Sequence, residues 1–266
     1  MTATQTKYEI NEEFHNVKYI LTSNIRTKLI LSVYESPKNL DDLRNELKKP
    51  SATILHGLKE LENINLVQKT RKTYHLTSNG HLLATNMIKL IENWYAIHQN
   101  KDFWNSHDLT GIPDSLLKRM YLLKDVEYVT STTSDLSNAF NRYIKLIGTS
   151  DDLKIILPIY SENHIKQLIK NLSDGKIKHL ELIVSDNVLS SIKRKKTFED
   201  SLLNNENVEI HCIKSNPKLY LTCCEEFMSL TLFFKDGYYD DSQILIGKTD
   251  ESKEWSQWLF DYFKGF

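Results

Sequence analysis

"KKPSATILHGLKELENINLVQKTRKTYHLTSNG", residues 48–80, is the stretch whose reading decides the fold of the first third of the chain. Pro50-Ser51 stops the chain and restarts it, and Ser51 stands where an N-cap is expected for a helix over the following residues. Ile54, Leu55, Leu58 and Leu61 recur at helical spacing and mark its apolar face. Asn65 sits where that helix must reverse into a strand, a position at which Asn tolerates positive φ better than most residues. Leu66–Lys69 and Thr73–Leu76 are short β-prone runs with Thr70, Arg71 and Lys72 between them, which reads as a hairpin with a basic tip.

Working outward toward the N-terminus, "SNIRTKLILSVYES" places Leu29, Ile30, Val33 and Tyr34 on one helical face, and Ser36-Pro37 ends it. "LDDLRNELKK" follows with Leu40, Leu43 and Leu47 inward and an acidic first turn that suits the helix dipole. Two short helices across a tight break are a helix-turn-helix, and three helices with a hairpin are a winged helix. On the solvent side of the second of the pair lie Ser51, Ala52, Thr53, His56 and Lys59. Ser51, Thr53 and His56 suit base edges, whereas Lys59 and the hairpin cations Lys69, Arg71 and Lys72 suit phosphates.

The charge balance allows such a role. The chain of 266 residues has a net charge of −1, but residues 1–80 hold 12 Lys and Arg against 9 Asp and Glu, while residues 101–266 hold 21 against 25. A small basic module attached to an acidic one is the asymmetry expected of a DNA-binding part joined to another kind of domain. With 40% hydrophobic residues, 8 Gly and 5 Pro, the chain has enough apolar side chains for proper cores. No apolar run approaches the length of a membrane span and the first residues lack a signal-peptide layout, so a cytoplasmic location without membrane contact is expected. Cys212, Cys223 and Cys224 have no spacing that suggests a disulfide framework or a zinc site.

Thr77 caps a long helical pattern in which Leu83, Met87, Leu90, Trp94 and Ile97 alternate four and three apart. A winged helix is already closed at Gly80, so this seam is expected to pair with its copy in a homodimer. From residue 125 the pattern alternates: "VEYVTS", a helix with Leu136, Phe140, Tyr143 and Ile147 inward, "LKIILPIY", the helix "SENHIKQLIKNLSDG", "KHLELIVS", two short helices, then "VEIHCI", "LYLTCC", "FMSLTLFF" and "SQILIG". A final helix places Trp255, Leu259, Tyr262 and Phe263 on one face. Crossover units followed by a run of strands predict an α/β domain with a mixed sheet. The expected division is therefore a winged-helix domain over 1–80, linking and dimerising helices over 81–124, and an α/β domain over 125–266.

Three segments carry a resemblance: "NKDFWNSHDLTGIP" (100–113), "SLTLFFKDGYYDDSQILI" (229–246) and "EWSQWLFDYF" (254–263). They are similar to the archaeal winged-helix regulators that carry the methanogenesis-regulator middle domain. The resemblance implies a transcriptional regulator with a C-terminal domain that senses a signal. That family often has Arg at the position of His56, which implies a different base preference here. The α/β core also resembles the phospholipase-D-like fold. Hydrolases of that fold need H-x-K-x4-D, with His as nucleophile and Lys as phosphate ligand. The chain offers His164-Ile165-Lys166 inside a predicted helix, with Asn171 where the Asp belongs, and Asn216-Pro217-Lys218 without a His. A non-catalytic relative is expected.

Ligands of open α/β sheets bind beyond the carboxyl ends of strands, which singles out Tyr160 and Ser185. Ser229 and Thr231 alternate with apolar neighbours and are expected to share one face toward a cavity. No Walker loop, dinucleotide fingerprint or zincin motif occurs, and no cofactor is expected. The reading is a dimeric DNA-binding regulator whose partners are double-stranded operator DNA, a second copy and a small-molecule effector. The competing readings are a DNA-tethered phosphodiester-type hydrolase and a winged-helix scaffold whose C-terminal domain only mediates assembly.

Overall fold

A computed structural model describes residues 3–265, and the chain divides into two compact units at Ile91/Glu92. The first contains α1 (Ala3–Leu21), α2 (Asn24–Glu35), β1 (Lys38–Asn39), α3 (Leu40–Leu47), α4 (Ser51–Asn63), β2 (Val67–Thr70) and β3 (Thr73–Leu76), and α5 (Ser78–Gln99) begins there. Local chemistry sets the boundaries. The Ser23 side chain accepts the Arg26 amide at the start of α2. Asn39 and Asp42 form a reciprocal capping box at the start of α3, which removes two unpaired amides. Asn65 reverses the chain after α4 in the left-handed region, at φ 57°.

Thr77 then ties the hairpin to α5: its hydroxyl donates to Asn65 O at 2.6 Å and accepts the Gly80 amide at 3.0 Å. Only glycine fits position 80, because a Cβ there would stand 2.0 Å from Leu66 O. The strands pair in the order β1-β3-β2, and Leu29, Ile30, Leu43, Ile54, Leu58, Leu61, Val67 and Tyr74 form the core beneath them. This is the winged-helix arrangement.

Two expectations at α4 need correction. Pro50, not Ser51, occupies the N-cap position and makes no side-chain cap bond, so Ser51 is the first helical residue. Leu55 is 42% exposed, because Gly57 rather than Leu55 completes the buried stripe with Ile54, Leu58 and Leu61.

The second unit contains the end of α5, α6 (Lys101–Ser106), α7 (Asp114–Leu117), β4 (Glu127–Thr130), α8 (Asn138–Ile147), β5 (Asp152–Leu157), α9 (Glu162–Ser173), β6 (His179–Ser185), α10 (Asp186–Lys193), α11 (Lys196–Phe198), β7 (Val208–Ile213), β8 (Leu219–Cys223), β9 (Met228–Leu232), β10 (Gln243–Gly247) and α12 (Asp250–Lys264). Its seven strands run in the order β4-β10-β9-β8-β5-β6-β7. β5, β6 and β7 are parallel, as their helical crossovers require, and the remaining pairs are antiparallel. The sheet is mixed, as the pattern of runs predicts.

Strand alternation gives this sheet two cores. Ile156, Leu221, Leu230 and Leu245 face residues 103–126 and the Trp255, Leu259 and Phe260 side of α12. Ile155, Leu182, Tyr220 and Ile244 face α8, α9 and α10. Two inward assignments fail. Leu136 is 79% exposed because α8 starts only at Asn138, and Tyr262 is 43% exposed while Phe260 takes its place in the core. No helix among the described residues is long and apolar enough to cross a membrane.

Candidate nucleic-acid interface and ligand pocket

The outer face of α4 presents Ala52, Thr53, His56 and Lys59 to solvent, with Ser51 half-buried at its start. What holds that face in place is a network beneath it. Arg26 of α2 pairs with Glu60 of α4 at 2.9 Å, the Tyr19 hydroxyl donates to the same carboxylate at 2.9 Å, and the guanidinium lies 3.7 Å over the Tyr19 ring. Arg26 foremost, opposed by desolvation and helped by Tyr19, holds the Glu60 carboxyl below its ordinary pKa. His56 Nε2 lies 3.5 Å from Glu60, so this carboxylate beside the outer face is already engaged.

The hairpin turns at Arg71-Lys72 between the paired Thr70 and Thr73, with Arg71 at φ 58° in the left-handed region. Lys69, Arg71 and Lys72 are all exposed, and the Lys69 ammonium lies 5.2 Å over the Tyr74 ring. The unit sorts its cations by role. Among the described residues, Arg26, Lys38 and Arg44 have carboxylate partners, whereas Lys18, Lys28, Lys48, Lys49, Lys59, Lys69, Arg71 and Lys72 have none. Lys28 and Lys49 line a groove of about 420 Å³ together with Asn24, Pro50 and Thr53. Sequence reasoning missed these two lysines. The Lys48-Lys49 pair directly before Pro50 was the available signal.

The seam expected along α5 splits. Met87 is 4% exposed and packs with Leu83 against the first unit's own core. Leu90, Trp94 and Ile97 are 58%, 64% and 40% exposed, and Leu82, Ile91 and Tyr95 are exposed beside them.

In the second unit the four residues expected around a ligand do not meet. Ser185 is buried as the N-cap of α10, its hydroxyl accepting the Val188 amide, and Tyr160 packs half-buried beside the α8–α10 core. Ser229 is 1% exposed inside β9. Thr231 alone lines a pocket, formed with Ala139, Phe140, Tyr143, His164, Tyr220, Tyr239, Asp241, Gln243 and Ile244. Sequence reasoning missed the aromatic residues of this pocket, which come from α8, α9, β8 and the loop before β10.

That loop is anchored from beneath. His107 and Asp240 are each 1% exposed and meet at 3.0 Å, joining the segments 100–113 and 229–246. His107 Nδ1 faces Phe103 O at 2.6 Å and Nε2 faces the carboxylate, so both ring nitrogens point at acceptors. Burial pushes the Asp240 carboxyl up, but His107 and the Ser242 hydroxyl and amide outweigh it and leave it below the usual range.

Catalytic and metal chemistry find little support. His164 is buried at the inner face of α9, whereas Lys166 points outward and pairs with Glu162 at 2.8 Å, so the pair cannot converge on one phosphate. Asn171 is 1% exposed and accepts from Gln167. Glu181, Glu209 and His211 bring ligand-type atoms within 4.8 Å of one another. However, Glu181 already accepts from His211 and from the Lys264 ammonium, which balance its charge. Burial, then Asp186, pushes exposed Cys212 up to about 11, and burial pushes Cys223 up to about 12, so both favour the protonated thiol.

Fold and surface thus define a winged-helix protein with an appended α/β unit. Family models described as the N-terminal domain and the middle domain of methanogenesis regulatory protein FilR1 match residues 14–94 and 136–265. The chain belongs to this family of archaeal regulators with the methanogenesis-regulator middle domain. The "Methanogenesis regulatory protein FilR1" of Methanothrix harundinacea (strain 6Ac) is 25% identical over 252 residues, which are 93% of this chain. The match spans only 56% of that relative's length.

Among solved structures, TrmBL2, described as an archaeal chromatin protein with a novel mode of DNA binding, is 13% identical with a TM-score of 0.38 over 86% of this chain and 85% of its own. Quinone-bound YodB from B. subtilis is 20% identical with a TM-score of 0.29 over 31% of this chain and 94% of its own. The dimethyltransferase RosA from Streptomyces davawensis is 15% identical with a TM-score of 0.26 over 80% and 68%. At such scores these likenesses bear on neither fold nor activity.

Proposed function

We propose that the chain is a DNA-binding transcriptional regulator that acts as a dimer and whose operator affinity responds to a ligand of its second unit. One observation carries the DNA reading: among the described residues the cations of α4, its approach and the wing are exposed and lack carboxylate partners, while the largely buried Arg26 and Lys38 are paired. Unpaired surface cations around a major-groove-sized helix are what phosphate recognition requires. Thr53 and His56 then face base edges from the helix they occupy, with Ser51 and Ala52 close at its start. In this reading residues 1–80 bind DNA, residues 81–124 join and pair the copies, and residues 125–266 sense.

The second unit is read as a non-catalytic relative of the phospholipase-D-like fold, supported by the divergent His164 and Lys166 and by Asn171 in the Asp position. The exposed Leu90, Trp94 and Ile97 support pairing through the second half of α5. Support for a sensor rather than a scaffold is the cavity beyond the end of β7, lined by Ile213, Lys218 and Tyr262.

Selection of bound fragments from a genomic DNA library tests the proposal. The expected result is enrichment of sites with two-fold related half-sites. Recovery of no enriched sequence, with no measurable affinity for duplex DNA at low salt, would overturn it.

A further inference from the structure

Within the sheet of the second unit the order β8-β5-β6-β7 reverses direction at β5. From β5 the chain steps to β6 and then β7, and afterwards returns to β8 on the other side of β5, where β8 starts at the end at which β5 finishes. Ligands of α/β sheets bind outside the carboxyl ends of strands at such a switch. The returning segment, residues 214–218, borders a cavity of about 250 Å³, with Ile213 at the end of β7, Tyr262 and Phe263 of α12, and the 110–113 segment as further walls. That is room for about eight waters. No side chain has to move to make it.

Specific contacts fix the walls. Asn216 Nδ2 donates to Pro158 O, directly after β5, at 3.2 Å, and Asn216 Oδ1 accepts the Lys218 amide at 2.9 Å. Lys218 is held at φ 56°, in the left-handed region that residues with a side chain rarely adopt. Gly111 lies so close to this segment that a Cβ would stand 2.4 Å from Pro217 O. Asp108 completes the frame: its Oδ1 accepts the Thr110 amide at 2.9 Å, and its Oδ2 accepts from the Lys218 ammonium at 3.0 Å.

Among the described residues, Lys218 is the one charged side chain that lines the cavity. Of its three ammonium protons, Asp108 takes one and Thr110 Oγ1, at 3.5 Å, a second. The third, together with the exposed Ser215 hydroxyl, is left for an acceptor. A cationic ligand would meet this ammonium, because both Asp108 oxygens are already engaged. A phosphate dianion would find a single, half-neutralised cation and no Arg in the lining. Ile213, Tyr262 and Phe263 add an apolar wall that a bare inorganic anion leaves uncovered. We propose, resting on the sensor reading above, that this cavity binds a small organic monocarboxylate, its carboxylate on Lys218 and Ser215 and its apolar body against Ile213, Tyr262 and Phe263.

Isothermal titration of the full chain with hexanoate, benzoate and 3-phenylpropanoate, each beside its amide, tests the site. Saturable binding of at least one acid, at least about tenfold tighter than its amide, is expected. Lys218→Met should weaken that acid at least about tenfold. Ser215→Trp, which fills the cavity and leaves the ammonium in place, should abolish binding, with circular dichroism of both variants that of the parent. The proposal is overturned if none of the three acids binds, or if acid and amide bind alike. It is equally overturned if Lys218→Met binds as the parent does, or if phenyl phosphate binds more tightly than benzoate. Duplex-DNA affinity with and without the bound acid is a separate readout. A cavity that binds the acid without moving that affinity keeps the site and removes the sensor reading. A chain that binds DNA but none of the acids loses the site and keeps the DNA reading.

Discussion

His164 shows how one residue type can be read as a nucleophile and turn out to be packing. Its Nδ1 meets the Ser161 hydroxyl at 2.8 Å and its ring is held among Phe140, Tyr143 and Tyr220. Burial depresses its pKa to about 4 from an ordinary 6.5. For a depressed pKa the unfolded chain binds the proton more readily, so the stabilisation is complete above pH 6.5 and is lost as pH falls toward 4. Between pH 7 and 5 this residue should cost the fold about 2 kcal/mol. His164→Phe should remove that share, so the stability difference read by chemical denaturation should move by about 2 kcal/mol in the variant's favour between pH 7 and 5. A constant gap between them would show that the ring is not held neutral.

Asp240 makes a second case at the same scale. Its carboxylate accepts from His107 at 3.0 Å, and from the Ser242 hydroxyl and Gln243 Nε2 at 2.6 Å each. Asp240→Asn exchanges a buried carboxylate for an amide beside three donors, and losing hydrogen bonds to a charged group typically costs about 1.5–3 kcal/mol. Urea denaturation should show a loss of that order in the second unit. A variant as stable as the parent would make the pair incidental.

Among the elements, α5 shows why a periodic stripe alone does not define an interface. Leu83 and Met87 lie where the helix still rests on the winged-helix core, so half of the seam is intramolecular. Leu90, Trp94 and Ile97 continue the stripe into solvent. Because Leu90 is 58% exposed, Leu90→Glu should leave both units folded and separate the copies. Light scattering of the variant should give a monomer with parent-like circular dichroism. A variant that stays dimeric would move the contact away from this helix. In α4 the apolar stripe was legible except at Leu55, where spacing alone could not show that Gly57 lets the helix approach Leu29 and Ile25.

For the molecule as a whole, legibility followed sequence distance. The winged helix was readable because its signals are local: a Pro break, an Asn suited to positive φ and two β-prone runs around a basic tip, although the strand runs to Thr70 and only Arg71 and Lys72 turn the hairpin. The mixed sheet was readable from run lengths and order. The ring cluster around Thr231 was not, because its rings lie between residues 140 and 239 and meet only through the strand order. The rule about strand ends pointed instead to Ser185, whose hydroxyl is spent as a helix cap. The same limit hid the His107–Asp240 pair, although both residues lie in segments that carry the family resemblance.

DNA binding through the wing and α4 is the claim on which the rest depends. The most direct test compares the parent with the triple variant Lys69→Ala, Arg71→Ala and Lys72→Ala by fluorescence anisotropy on duplex DNA across a salt series. Each lost phosphate contact should reduce the slope of log affinity against log salt by about 0.9, so the variant should bind all sequences more weakly and with a slope flatter by about 2 to 3. An unchanged affinity and slope would contradict the placement of DNA on this face.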